Sequence, residues 1–168
     1  MAATPISLPN LLMQKFASSK PGAWLLARFQ HHIDRAVLKL SGERMMLSSV
    51  LAGLPVVMVN TVGAKSGIER RIPLLCIMDR EHPDSFAIIA SNFGQKNNPA
   101  WYYNLKANSR VSCSLNRKSA VYVAEEAEKN GSDYQRFWQY ALDTYIGFPK
   151  YKERASHRHI PIMVLRKQ

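Results

Sequence analysis

Residues Gly63-Ala-Lys-Ser-Gly-Ile-Glu-Arg-Arg-Ile-Pro-Leu74 form a glycine-bearing turn that leads into an apolar strand. Similar short segments, rich in β-branched and apolar residues, lie on both sides of it and are separated by polar or glycine residues. Short strands in hairpin order are typical of antiparallel barrels. The sequence therefore predicts an α+β protein that is mainly β, built on a six-stranded antiparallel barrel. The strands are predicted at Val56–Thr61, Arg70–Met78, Ser85–Ala90, Arg110–Leu115, Val121–Glu126 and Ile160–Leu165.

Two helices are predicted to interrupt the strands. Asn98-Pro99 begins the first, over Ala100–Ala107, because the N–H that proline lacks has no partner in the first turn of a helix. Ser132 and Gln135 form a capping-box pattern, which predicts a second helix over Asp133–Tyr145.

The N-terminal part is predicted to be a flexible arm, residues 1–22, with Pro5 and Pro9 as breakers. An amphipathic helix follows over residues 23–40, where apolar residues recur at helical spacing. Two interpretations of this helix remain: it packs on the barrel, or its basic flank lies on an anionic membrane surface. No repeat or linker interrupts the rest, so residues 23–168 are predicted to form one domain.

The chain of 168 residues carries a net charge of +11, from 23 Lys and Arg against 12 Asp and Glu. Such an excess favours anionic partners: nucleic acid, a membrane face or a phosphorylated cofactor. The basic residues are scattered over loops and both ends, and no nucleic-acid motif is present. Nucleic acid is therefore not expected as a partner.

The histidines and cysteines do not form the patterns of a metal site or a disulfide framework. His31-His32 and His157-x-His159 have no spaced carboxylates or cysteines beside them, so no metal is expected. Cys76 and Cys113 lie in apolar strands and are predicted to be buried free thiols. Together with the absence of a signal-peptide pattern, this predicts a cytoplasmic protein, with peripheral attachment to the inner face of the membrane left open.

The loop Gly63–Gly67 has the composition of an anion site. Both of its glycines can take positive φ, which lets successive backbone N–H groups point into a shared concavity. Lys65 adds a point charge, Ser66 a hydroxyl, and Arg70 a guanidinium that can bind an anion with two donors. The alternative is a plain hairpin turn with solvated charges.

A second loop, Ser91–Asn98, combines Gly94 and Lys96 with the start of the Pro99 helix. The unpaired N–H groups of a helix start attract anions. The alternative is a polar loop before a capped helix. Two cationic, glycine-bearing loops on neighbouring strands together predict a cradle for a long anionic ligand.

Aromatic residues stand near the start of the first predicted helix and from the end of the second onward. Trp101 either packs in the core or forms a wall for a flat ring. Tyr145, Phe148 and Tyr151 recur every third residue around Gly147 and Pro149, which predicts an irregular segment that lines an apolar pocket. Surface packing of a connecting segment is the alternative.

These residues resemble the deazaflavin-dependent nitroreductase family, which uses coenzyme F420. The resemblance extends from about Val56 to the C-terminus. Three motifs carry it in order: Gly63, Lys65, Ser66, Gly67, Arg70, Pro73 and Leu74; Asn98-Pro99-Ala-Trp101-Tyr102-Tyr-Asn104-Leu105-Lys106-Ala107-Asn108; and Arg158-His159-Ile160-Pro161.

The resemblance implies a split β-barrel of the FMN-binding type and hydride transfer from reduced F420 to a quinone or nitro-aromatic acceptor. By position, Lys65, Ser66 and Arg70 would hold the cofactor tail, with Gly67 and Pro73 in the same motif. The ring or its linker would contact Ser91, Asn92, Lys96, Asn98 and Trp101.

On the acceptor side, the resemblance implies that Tyr145, Phe148 and Tyr151 close the substrate pocket. Tyr145 and Tyr151 are the catalytic candidates, since a hydroxyl can stabilise charge developing on the acceptor. Phe93 stands where the family has glycine. Two alternatives remain, an FMN-dependent oxidoreductase on the same barrel and a non-catalytic barrel that binds lipid or fatty acid. A homodimer is also left open.

Overall fold

The computed structural model describes residues 8–22, 54–116 and 118–168. Six strands and four helices, with one short 3₁₀ turn at Asn92–Gly94, form these parts of the chain. The strands are β1 (Val56–Val62), β2 (Glu69–Met78), β3 (Ser85–Ile89), β4 (Arg110–Leu115), β5 (Lys118–Glu126) and β6 (Ile162–Lys167). The helices are α1 (Leu8–Ser18), α2 (Ala100–Ala107), α3 (Ser132–Thr144) and α4 (Phe148–Arg154).

The six strands close into a barrel in the order β1-β2-β3-β6-β5-β4, and every neighbouring pair is antiparallel. The predicted six-stranded antiparallel barrel is thus confirmed. Closure depends on two pairings between strands distant in sequence, β1 with β4 and β3 with β6. In the first of these Val59 lies opposite Cys113, and in the second Ile88 lies opposite Met163.

Two apolar cores share the wall formed by β2, β3 and β6. Because side chains alternate along a strand, Phe86 and Ile88 point into the barrel while Ala87 and Ile89 point out. The inner core is closed by Trp101 and Leu105 of α2. The outer core is covered by α3 and α4. This double burial explains why the whole of β3 is apolar except for its first residue, Ser85.

Both predicted helices are present, the first over the predicted residues Ala100–Ala107 and the second one residue earlier than predicted, with N-caps that differ from the prediction. In α2 the N-cap is Pro99, in extended conformation, one residue later than predicted. In α3 the N-cap is Gly131, and no side chain caps the helix. The predicted capping box is therefore wrong: Gln135 instead donates from Nε2 to the carbonyl of Asn130, at 3.0 Å.

The structure has two further helices where the sequence predicted none. Part of the predicted flexible arm, Leu8–Ser18, is helix α1, and part of the predicted irregular aromatic segment, Phe148–Arg154, is helix α4. In both, the proline that indicated a break lies in the first turn, where its missing N–H has no helical partner. The C-terminal end of α1 packs against α4.

The predicted amphipathic helix over residues 23–40 lies outside the described residues. Across 8–22, 54–116 and 118–168, no helix has both the length and the apolar character needed to cross a membrane.

Candidate functional site

The first predicted anion loop is the tight turn between β1 and β2. Gly67 has φ of +65°, the left-handed region that glycine adopts at little cost. A Cβ at Gly63 would lie 2.4 Å from Ser66 Oγ, so a side chain here would displace the Ser66 hydroxyl. Gly67 N donates to Gly63 O at 2.8 Å, and Gly63 N donates to Ile68 O at 2.9 Å. The conformation of this turn therefore requires glycine at position 67.

The turn leaves a smaller nest of donors than the sequence predicted. The amides of Gly63, Gly67 and Ile68 are used inside the turn, and that of Ala64 is bonded from outside. Of the five loop residues, Lys65 and Ser66 keep amides with no partner in the described part of the chain. The side chains of Lys65 and Arg70 are exposed, and neither forms an ion pair with any described residue. The donors that remain are two amides, a hydroxyl and two cations.

Asn104, in the middle of α2, ties this turn to the helix. Its Oδ1 accepts from Ala64 N at 3.0 Å, and its Nδ2 donates to Thr61 Oγ1 at 3.2 Å. Asn104 and Thr61 are both buried, so these bonds are shielded from water. The first loop and α2 are consequently one structural unit. Asn104 stands in one of the sequence motifs, but this role could not be predicted from the motif.

The second predicted loop has an unusual backbone. Asn92, Phe93 and Gly94 have φ of 47°, 55° and 80° in succession. A left-handed conformation is rare for a bulky residue, so Phe93 is held there by its surroundings. Its ring packs edge-on against Tyr151, with centroids 5.8 Å apart. A Cβ at Gly94 would lie 2.6 Å from Cβ of Arg154, which explains the glycine at this close approach to α4.

Arg158 holds the second loop in this shape. All five N–H donors of its guanidinium are used: Nε donates to Gln95 O, Nη2 to the carbonyls of Ala90 and Ser91, and Nη1 to Asn98 Oδ1 and His159 O. Burial lowers the pKa of this guanidinium, opposed by the nearby Tyr103. Sequence reasoning placed Arg158 in a motif and missed this function, because only the fold shows which carbonyls it reaches.

The predicted cofactor residues of the second loop lie at different depths. Ser91 is buried, Asn92 and Asn98 are partly buried, and Lys96 is exposed. Asn92 Nδ2 donates to Asn97 O at 2.8 Å, which closes the loop on itself. Trp101 is 8% exposed and packs in the inner core, as in the first of its two sequence interpretations.

The three predicted pocket aromatics are buried together in the outer core. Tyr145, Phe148 and Tyr151 are 6%, 3% and 3% exposed. The hydroxyls of Tyr145 and Tyr151 are 2.9 Å apart, and Tyr151 also donates to Ala17 O of α1 at 3.0 Å. Burial raises the pKa of both phenols. They are therefore protonated at neutral pH, and α1 covers the pair.

A cavity of about 540 Å³ lies between the end of α1 and α4, beside these tyrosines. Lys20, Lys150 and Arg154 give it a positive lining, against one carboxylate, Glu153. None of its lining residues was predicted from the sequence as a site residue.

The two cysteines offer no reactive group. Cys76 and Cys113 are free and buried, and burial raises the pKa of each thiol to about 12, so neither is a reactive thiolate. In the described ranges no three His, Cys, Asp or Glu side chains lie together as metal ligands would.

Comparisons with known proteins agree with this arrangement. The family model described as F420H(2)-dependent quinone reductase matches residues 30–167. An F420H(2)-dependent quinone reductase of Mycobacterium tuberculosis (strain ATCC 25618 / H37Rv) is 33% identical over 112 residues, which are 66% of this chain and 72% of that protein.

Two solved structures are also similar. One, described as an F420-H2 dependent reductase, is 32% identical, with 67% of this chain and 94% of that chain covered and a TM-score of 0.58. Another, described as a domain-swapped dimer, is 26% identical, with 88% and 100% covered and a TM-score of 0.60. Because the family model matches most of the sequence, the chain belongs to the F420H(2)-dependent quinone reductase family.

Proposed function

We propose that this protein transfers a hydride from reduced coenzyme F420 to a quinone. The observation that carries the proposal is that two cationic, glycine-bearing loops are joined through one helix. Asn104 of α2 binds the first loop, and the second loop leads into the N-terminus of α2. The names of the related proteins, F420H(2)-dependent quinone reductases, supply the chemistry.

The donors of the first loop fit the anionic tail of the cofactor. Lys65 and Arg70 offer charges that no described acidic residue neutralises, and Ser66 adds a hydroxyl. A phosphate followed by glutamate carboxylates needs several cations along a track, more than the single phosphate of FMN requires. We therefore prefer F420 to FMN, and assign the tail to Lys65, Ser66 and Arg70, with Gly67 shaping the turn.

The second loop would hold the ring and its linker. Ser91, Asn92, Lys96 and Asn98 lie on this loop, next to the first two amides of α2, those of Ala100 and Trp101, which have no intrahelical partner. Pro73 and Trp101 would support the ring from behind, on the barrel wall. When bound, the reduced deazaflavin supplies the hydride, and the protein orients it and excludes water.

The aromatic cluster would serve the acceptor. Tyr145 and Tyr151, as protonated phenols, would donate hydrogen bonds to oxygen as negative charge develops on it, and Phe148 would pack against the ring of the quinone. Because Tyr151 donates to Ala17 O in this structure, the end of α1 must move aside before an acceptor reaches the pair.

Several further properties belong to the same proposal. A nitro-aromatic is an alternative acceptor, and residues 23–40 would bring the protein to an anionic membrane face. A cytoplasmic setting agrees with two free cysteines. A homodimer agrees with the similar structure described as a domain-swapped dimer.

A lipid-binding barrel without cofactor is the remaining alternative, and copurified fatty acid in place of F420 would support it.

The cofactor assignment is tested by titrating F420, and separately FMN, into the protein and following F420 fluorescence or flavin fluorescence. Lys65→Ala and Arg70→Ala should each weaken F420 binding by up to about fivefold, since exposed ion pairs contribute about 0.2–1 kcal/mol. The loss should shrink at high salt.

The matched control is Lys118→Ala. The strand registers place Lys118 in the β4–β5 hairpin, at the end of the barrel opposite the β1–β2 turn. This variant should bind F420 as the wild type does. Tighter binding of FMN than of F420, or equal losses in all three variants, would contradict the assignment.

A further inference from the structure

Arg158 contacts the whole length of the second loop. Its acceptors begin at Ala90, at the end of β3, and continue through Ser91 and Gln95 to Asn98, just before α2. The distances are 3.2, 2.9, 3.0 and 2.5 Å in that order. A single side chain thus fixes both ends and the middle of the loop.

The guanidinium has no donor left for a ligand. Arginine carries five N–H donors, and the fifth, on Nη1, is used by His159 O at 3.0 Å. Any direct contact with an anion would break one of these five bonds. The side chain is only partly exposed, and all of its acceptors belong to the protein. Its geometry is that of a support for the loop.

Two neighbouring contacts also hold the loop in place. Ala90 N donates to Pro161 O at 2.9 Å, and His157 Nε2 lies 3.3 Å from Lys96 O. The segment from His157 to Pro161 therefore forms a backing for the loop, with Arg158 at its centre. The left-handed backbone at Phe93 is unfavourable in isolation, and this backing, together with the contact of Phe93 with Tyr151, keeps the loop in one shape.

We propose that Arg158 is a positioning residue for cofactor binding: it holds Ser91–Asn98 in the one conformation that accepts the deazaflavin, without touching the cofactor itself. This inference rests on the proposed function. It predicts that the shape of the guanidinium matters and that its charge alone does not suffice.

The test uses Arg158→Lys and Arg158→Gln in the full-length protein. Lysine keeps the charge but has three donors on one atom, so it cannot span acceptors from Ala90 to Asn98. Both variants should raise the dissociation constant of F420 at least about tenfold, which corresponds to about 1.4 kcal/mol. If Arg158 acted through charge on an anionic ligand, lysine would retain most of the affinity.

A second measurement reports how well the second loop is ordered in the cofactor-free protein. Hydrogen exchange of the Gly94 and Gln95 amides, which donate to Ser91 O and Asn92 O, should be at least about tenfold faster in both variants, again equivalent to about 1.4 kcal/mol. Exchange in β4 serves as an internal reference and should not change.

The matched control is Arg136→Lys, because Arg136 is also partly buried and bonds to several groups, Asp79, Glu81 and Asp133. None of these partners lies in the second loop. This variant should lower the stability of the fold while leaving F420 affinity and loop exchange within about twofold of wild type.

Three results would overturn the inference: unchanged loop exchange with unchanged F420 affinity, faster loop exchange with F420 affinity within about twofold of wild type, or weakened F420 binding with unchanged loop exchange. The last would assign Arg158 to direct contact with the ligand. If the wild type bound no F420, the proposed function would fail together with this inference. Loop exchange would still report separately whether Arg158 orders the loop.

Discussion

Tyr151 is the middle member of a buried chain of hydrogen bonds, in which Tyr145 donates to Tyr151 and Tyr151 donates to Ala17 O. Replacing Tyr151 with phenylalanine leaves both neighbours without a partner, whereas replacing Tyr145 leaves the bond to Ala17 intact. Tyr151→Phe should therefore lower the free energy of unfolding by about 1–3 kcal/mol, and Tyr145→Phe by about 0.5–1.5 kcal/mol. Urea unfolding at neutral pH measures both, and a larger loss for Tyr145→Phe would contradict this hydrogen-bond order.

Asp79 contributes to the loss of stability of the fold at low pH. Its burial alone would raise the pKa of the carboxyl, but hydrogen bonds from Glu81 N, Ser85 Oγ and His82 N, together with the Arg136 guanidinium, lower it below its ordinary value of 3.8. A carboxyl with a lowered pKa in the folded state stabilises the protein above its unfolded pKa, and this contribution is lost as pH falls through the folded value.

Asp79→Asn should consequently be less stable than wild type at pH 7, and the difference should shrink as pH falls below 3.8. Thermal unfolding measured from pH 7 down to about pH 2.5 shows how the difference in stability between variant and wild type changes with pH. A difference in stability that stays constant over this range would rule out the role of the ionised carboxylate.

At the level of elements, Asn104 is the connection that turns α2 and the β1–β2 turn into one unit. Asn104→Ala leaves Ala64 N and Thr61 Oγ1 without these bonds, so the free energy of unfolding should fall by about 1–3 kcal/mol. Binding of F420 should weaken as well, because Lys65 and Ser66 lose their fixed position relative to the second loop. Asn108→Ala, at an exposed position just beyond α2, is the control and should bind F420 normally. Unchanged F420 binding in Asn104→Ala would show that the two loops bind independently.

The strands were largely predictable because alternation and turn residues are local signals. Predicted and observed bounds agree at β4, while β5 begins at Lys118 instead of Val121 and β6 at Ile162 instead of Ile160. The polar start of β5 has no strand pattern of its own, and its pairing with β4 makes it a strand. Helices α1 and α4 were missed because a proline in the first turn of a helix resembles a break when only the sequence is considered.

The two loops of the candidate site could be predicted from the sequence, but the residues that hold these loops in place could not. Lys65, Ser66 and Arg70 stand beside glycines, a pattern visible along the sequence. The roles of Arg158 and Asn104 depend on hydrogen-bond partners that are about 40 to 70 residues away in the chain. The burial of Tyr145 and Tyr151 beneath α1 likewise follows from packing, since nothing in the local sequence places Ala17 over them.

In the whole molecule, the wall of the closed barrel formed by β2, β3 and β6 is apolar on both its inner and its outer face. The inner face packs on α2, which connects the two loops, and the outer face packs on α3 and α4, which carry the tyrosines. Phe93 links these two regions through its contact with Tyr151. The fold therefore places the proposed cofactor loops beside the proposed acceptor residues, an arrangement that a net charge of +11 and separate motifs could not establish.

Hydride transfer from F420 to a quinone can be measured by anaerobic stopped-flow absorbance, in which reduced F420 is mixed with the protein and menadione, a quinone. We expect rapid, protein-dependent oxidation of F420H2, slower in Lys65→Ala at subsaturating cofactor and normal in Lys118→Ala. Oxidation no faster than in the protein-free control, with folded protein and excess quinone, would rule out the proposed activity.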